Sequence, residues 1–123
     1  MSSTQSEWLM SQITTHILDT SLGKPAEGVA IQLHQQQDNG EWTLLGEGHT
    51  NSDGRIADLL GNDVILPAGT YRMHFATAAY FEQQNLQVFY PWADVVFTIT
   101  GDGQHYHIPL LLNPFGYSTY RGS

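Results

Sequence analysis

The 123-residue sequence has no cysteine. That removes disulfide staples, thiol nucleophiles and thiolate metal sites together. Positive charge is nearly as scarce. Lys24, Arg55, Arg72 and Arg121 are the entire supply of Lys and Arg, and the formal net charge is −8. Nucleic acid is therefore not an expected partner, because neutralising phosphates takes clustered Lys and Arg. An anionic membrane surface is not expected for the same reason. Long apolar runs are missing too: no segment approaches the ~20 residues of a membrane span. Residues 1–12 carry neither the basic stretch nor the apolar stretch of a secretory signal. They read as a flexible extension, and the expected location is the cytoplasm.

What remains is a chain that is 41% hydrophobic, the composition of a globular domain. The length argues for one domain, expected over 13–123. Alternation dominates it. Val29, Ile31 and Leu33 alternate with Ala30, Gln32 and His34. Tyr71, Met73 and Phe75 alternate with Arg72, His74 and Ala76. Val95, Phe97 and Ile99 alternate with Asp94, Val96 and Thr98. Period two means strands with one face buried. Gly23-Lys24-Pro25, Asp38-Asn39-Gly40, Ser52-Asp53-Gly54, Pro67-Ala68-Gly69 and Gly101-Asp102-Gly103 punctuate them as turns.

This pattern predicts an all-β sandwich. Strands are expected near 13–19, 28–36, 41–50, 54–58, 70–77, 94–100, 104–112 and 115–121. Ala78 to Gln84 is helix-forming material, and Pro91 forbids helix soon after, so one short helix is expected there.

Histidine stands out against this background, with six copies. In "HYHIPLLL", Tyr106, Ile108, Leu110 and Leu112 form an apolar face suited to the core. His105, His107, Pro109 and Leu111 form the opposite face. Two histidines, a proline and a leucine are not what water favours, and a second subunit is the simplest cover. In "ITTHILD", Ile13, Thr15 and Ile17 share one face, while Thr14, His16 and Leu18 share the other. His16 would meet His105 and His107 if the two strands were neighbours. Three such histidines also allow a zinc-site reading. His34, His49 and His74 read as ordinary surface residues. Arg55 reads as a solvated turn residue and Arg121 as a tail residue. Residue patterns alone thus reach an oligomeric β-sandwich with a His-rich face, but no reaction.

At these residues the sequence resembles a known family. "THILD", "GKPA", "SDGRI", "YFEQQNLQVFYP", "HYHIPLLL" and the closing "YSTYRGS" are similar to the transthyretin-related 5-hydroxyisourate hydrolases. The likeness runs from about Ile13 to Ser123. It implies a transthyretin-like sandwich of two four-stranded antiparallel sheets with one short helix. It implies a homotetramer, a dimer of dimers, with active sites in a channel at the dimer–dimer interface. It implies hydrolysis of 5-hydroxyisourate in urate degradation, with no metal and no organic cofactor.

Carried over residue by residue, the resemblance implies catalytic roles for His16, Arg55 and His107. It implies substrate contacts from His16, Arg55, Tyr120, His105 and Ser123, with Arg121 and Ser123 shaping the pocket floor. The competing expectation is a non-catalytic transthyretin-like carrier of a flat small molecule. A zinc protein and a plain structural sandwich also stay open.

Overall fold

The computed structural model describes residues 11–56, 58–61 and 63–122. Nine strands and one helix follow in chain order: β1 (Ile13–Asp19), β2 (Lys24–Pro25), β3 (Ala30–Gln36), β4 (Trp42–His49), β5 (Arg55–Ile56), β6 (Gly69–Phe75), α1 (Thr77–Glu82), β7 (Ala93–Ile99), β8 (Tyr106–Asn113) and β9 (Gly116–Thr119). Eight of the nine fall on the stretches expected from alternation and the turns that bound them. The ninth, β2, is a two-residue strand that the sequence reads as part of the Gly23-Lys24-Pro25 turn.

The strands form two sheets. One runs β4-β3-β6-β7 and is antiparallel throughout. The other runs β2-β1-β8-β9, with β5 also paired to β1. It therefore has five strands, yet it is four positions wide. β5 lies opposite Thr15 and His16, and β2 lies opposite Leu18 and Asp19, so two short strands share one edge of β1 end to end. This sheet also departs from the all-antiparallel expectation. β1 and β8 run parallel, pairing Ile13 with Tyr106 through Asp19 with Leu112. A parallel pair needs a long crossover, and here the entire second sheet supplies it.

The core lies between the sheets. Ile13 and Ile17 of β1 meet Ile31 and Leu33 of β3, Tyr71, Met73 and Phe75 of β6, and Leu110 of β8, all at most 1% exposed. Each residue shifted by one position along these strands points out. Burial of this kind contributes about 25 cal/mol per Å² of apolar surface, which is what holds a cysteine-free fold together.

The helix is six residues long, has no side-chain cap, and is pinned from below. Phe81 is buried in the core, and the Tyr80 hydroxyl donates to Asp19 Oδ2 at 2.8 Å. Asp19 Oδ1 accepts from the Ser21 backbone and side chain and from the Leu22 backbone. Burial, and then the Asp19 bond, push the Tyr80 phenol up to about 12. Asn85, at φ 60°, ends the turn.

Ser11 and Gln12, read from the sequence as the end of a flexible extension, are buried. Gln12 is the reason. Its side chain donates to the Gln104 carbonyl at 2.9 Å and accepts from the Leu66 backbone at 2.8 Å. Residues 1–10 lie outside the described residues.

Candidate active site

The parallel register of β1 and β8 builds the site. It sets Thr14 beside His107 and His16 beside Pro109 on the face turned away from the core. On the other flank of β1, β5 sets Arg55 directly opposite His16. Three segments remote in sequence therefore deliver His16, Arg55, His105 and His107 to one face. The turn before Arg55 requires its glycine: Gly54 has φ 73°, and a Cβ there would lie 2.5 Å from the Ile17 carbonyl oxygen. Its close approach lets the Ile17 N–H reach the Gly54 carbonyl at 2.8 Å, which locks β5 against β1.

The side chains are wired together. Thr14 Oγ1 lies 3.1 Å from His105 Nε2 and 2.9 Å from His107 Nδ1. His107 is held below the ordinary imidazole value, first by burial and then by the charges of Arg55, His105 and His16. His16 is also lowered, by burial first and Arg55 second, with Asp53 opposing. Both rings are consequently neutral at pH 7, and neutral imidazole is the form that accepts a proton.

The C-terminal segment closes over this face. The Gly122 N–H donates to the His107 carbonyl at 2.8 Å. A Cβ on Gly122 would meet His107 Cδ2 at 2.6 Å and Cγ at 3.2 Å. Only a residue without a side chain can lie on that ring. Thr119 Oγ1 donates to the Pro109 carbonyl at 2.7 Å, which fixes the segment one step earlier. Tyr120 is exposed and lines a cleft together with His107.

Two expectations fare differently. Arg121 reaches across to Tyr106 and Gln104. Its guanidinium sits 4.7 Å over the Tyr106 ring and donates to Gln104 Oε1 at 2.5 Å. It anchors the tail and, with Tyr120, lines the cleft beside His107. Ser123 lies outside the described residues. The three-histidine zinc reading finds no support, because no His, Cys, Asp or Glu group among the described residues could hold a metal ion.

Sequence reasoning missed Thr14 and Gly122. Thr14 could have been found, since it sits two residues before His16 on the same face. Gly122 could not, because its role is a missing atom against a ring that only the fold brings near.

With this geometry in hand, the comparisons are specific. Residues 13–122 match the model of the HIUase/Transthyretin family. A 5-hydroxyisourate hydrolase of Salmonella typhimurium is 50% identical over 111 residues, covering 90% of this chain and 80% of that one. The transthyretin of sea bream in complex with thyroxine superposes with a TM-score of 0.85 at 38% identity, covering 90% of this chain and 94% of that one. The 5-hydroxyisourate hydrolase of Klebsiella pneumoniae superposes with a TM-score of 0.79 at 40% identity, covering 90% and 98%.

Proposed function

The chain belongs to the HIUase/Transthyretin family, and we propose that within it this protein is the enzyme that hydrolyses 5-hydroxyisourate to 2-oxo-4-hydroxy-4-carboxy-5-ureidoimidazoline. One observation carries the reading. Two neutral imidazoles, His16 and His107, share a face with the Arg55 guanidinium, and that guanidinium helps keep them neutral.

Hydrolysis of a cyclic amide needs a water aimed at a carbonyl carbon, an acceptor for its proton and a partner for the oxyanion. His16 and His107 hold and deprotonate the water. Its oxygen bonds to the carbonyl carbon, its proton passes to an imidazole, and charge develops on the carbonyl oxygen. Arg55 offers that oxygen a fixed fork of N–H donors. The ring C–N bond then breaks, and the imidazolium returns its proton to the departing nitrogen. Tyr120 and His105 contact the substrate ring, and the terminal Ser123 joins them. No nucleophilic side chain is invoked, so the chemistry is direct attack by water.

The working assembly in this reading is a homotetramer, a dimer of dimers, with the site in the channel between dimers. Exposed apolar side chains support a covering partner. Phe89, Trp92, Val96 and Phe115 are each more than half exposed. Among the described residues no helix is long and apolar enough to cross a membrane. A cytoplasmic location goes with this reading.

The superposition on a thyroxine-bound transthyretin favours one second reading, a carrier of flat ligands. A single experiment separates the two. Fresh 5-hydroxyisourate, made from urate with urate oxidase, is followed by absorbance with and without the protein. Acceleration of its decay in proportion to protein concentration is the expected result. Unchanged decay, together with saturable thyroxine binding, would make the protein a carrier.

A further inference from the structure

Thr14 is 4% exposed, so its hydroxyl has no ready access to bulk water and must find its partners inside the protein. The partners are His105 Nε2 at 3.1 Å and His107 Nδ1 at 2.9 Å. A hydroxyl has one proton to give and lone pairs to receive with. Between one bare and one protonated imidazole nitrogen it donates to the first and accepts from the second. The two rings' tautomers are thereby tied together through a single oxygen.

The direction of the chain follows from the work His107 does in the hydrolase reading. A general base needs its outer nitrogen bare, and Nδ1 is the nitrogen that the Thr14 hydroxyl occupies. A neutral imidazole carries one hydrogen, so a bare Nε2 places it on Nδ1. The His107 nitrogen on the Thr14 side therefore carries the hydrogen, and the Thr14 hydroxyl spends its own proton on His105 Nε2. We infer that Thr14 is a positioning residue that holds His107 as its Nδ1–H tautomer, so that Nε2 presents a lone pair to the attacking water. This inference rests on the hydrolase reading of the site.

The arrangement has a mechanical side as well. Gly122 lies against the His107 ring, with room for no side chain between them. With Thr14 on one edge and the tail on a face, the ring has neither a free rotation nor a free choice of tautomer. The charged and titratable groups that face it are Arg55 on β5, His105 just before β8, His16 on β1, and Tyr120 and Arg121 of the tail, which line the cleft beside it. None is a carboxylate that could take over from Thr14 as acceptor for Nδ1–H.

The test is nitrogen-15 NMR of the imidazole side chains in the full-length protein at a pH where the rings are neutral, combined with turnover of Thr14→Val and Thr14→Ser. Wild type and Thr14→Ser should show His107 protonated at Nδ1. Thr14→Val should shift that population towards Nε2–H. It should lose turnover by at least about tenfold, a share of what general-base catalysis supplies, with KM changed by less than about twofold. Thr14→Ser should recover most of the loss, which a merely space-filling threonine would not predict. A wild-type His107 protonated at Nε2 overturns the inference, and needs no variant to fold. So does a Thr14→Val enzyme within about twofold of wild-type turnover. A wild-type protein that leaves 5-hydroxyisourate decay unchanged sinks the hydrolase reading instead, and the tautomer result remains a separate fact.

Discussion

The outer faces of the two sheets carry the same residue types and put them to different use. On the second sheet, His34, Arg72, His74 and Asp94 project from β3, β6 and β7. There the groups satisfy one another. His74 Nδ1 pairs with Asp94 Oδ1 at 2.7 Å, Arg72 Nε donates to His34 Nδ1 at 3.4 Å, and the Arg72 guanidinium lies 4.3 Å over the Trp42 ring. On the first sheet, His107 is tuned by Arg55 and two other histidines, with no carboxylate side chain among the causes. One face is closed by its own counter-charges. The other keeps His16 and His107 beside the Arg55 charge, with His105 and His107 joined through the Thr14 hydroxyl rather than to a carboxylate. Histidine and arginine in a cluster are therefore not yet a site; what matters is whether their polar atoms are already spent.

Substitutions can break this comparison, and the largest effects belong to the first face. His107→Ala or His16→Ala should lower turnover by about 10²–10⁴-fold, the usual yield of general-base catalysis. His34→Ala and His74→Ala should stay within about twofold, as surface changes do. Steady-state kinetics on the four variants checks this, and equal losses on both faces would contradict it. Arg55→Ala should cost about 10²–10³-fold, the scale of losing an oxyanion donor. If kcat survives and only KM rises, Arg55 binds substrate without stabilising the transition state.

Gly122→Ala should come next. A methyl group 2.6 Å from His107 Cδ2 forces the tail or the ring to move. Displacing a catalytic group by an ångström can cost up to about 10²-fold, so a loss of roughly ten- to a hundredfold is expected. Circular dichroism should show the sandwich intact, and a crystal structure of the variant should show the tail lifted from His107. Undiminished turnover would mean that the tail does not hold the ring.

The smallest effect is a displacement along the pH axis. Burial and Arg55 lower both His16 and His107 from 6.5. A base whose pKa is lowered stays neutral, and active, further into acid. kcat/KM should therefore hold as pH falls past 6.5 and drop only below it. In Arg55→Gln the acid limb should move up towards 6.5, because one of the lowering charges is gone. A wild-type limb at or above 6.5 would contradict the electrostatics described here.

Much of this was legible in the residues. Alternation located β1, β3, β6 and β8 because each buries one face, and the Asp38-Asn39-Gly40 turn and the short helix followed from local chemistry. The resemblance of "THILD", "SDGRI" and "HYHIP" drew His16, Arg55 and His107 into one list. Other features had no local signal. The parallel pairing of β1 with β8 is a contact across roughly ninety residues, and periodicity within a strand says nothing about its neighbour. The two-residue β2 is too short to carry a pattern. Arg121 was read as part of the pocket floor, and it lines the cleft beside His107, but its anchoring partners had no local signal. In the fold, the side chain crosses to Tyr106, where an aromatic face and Gln104 receive it.

The most direct test of the account puts wild type, His107→Ala and His74→Ala side by side in the 5-hydroxyisourate decay assay, each checked for the same oligomeric state. Wild type and His74→Ala should accelerate decay alike, and His107→Ala should fall towards the uncatalysed rate. If His107→Ala keeps pace with wild type, the His-rich face of the first sheet is not where the chemistry occurs.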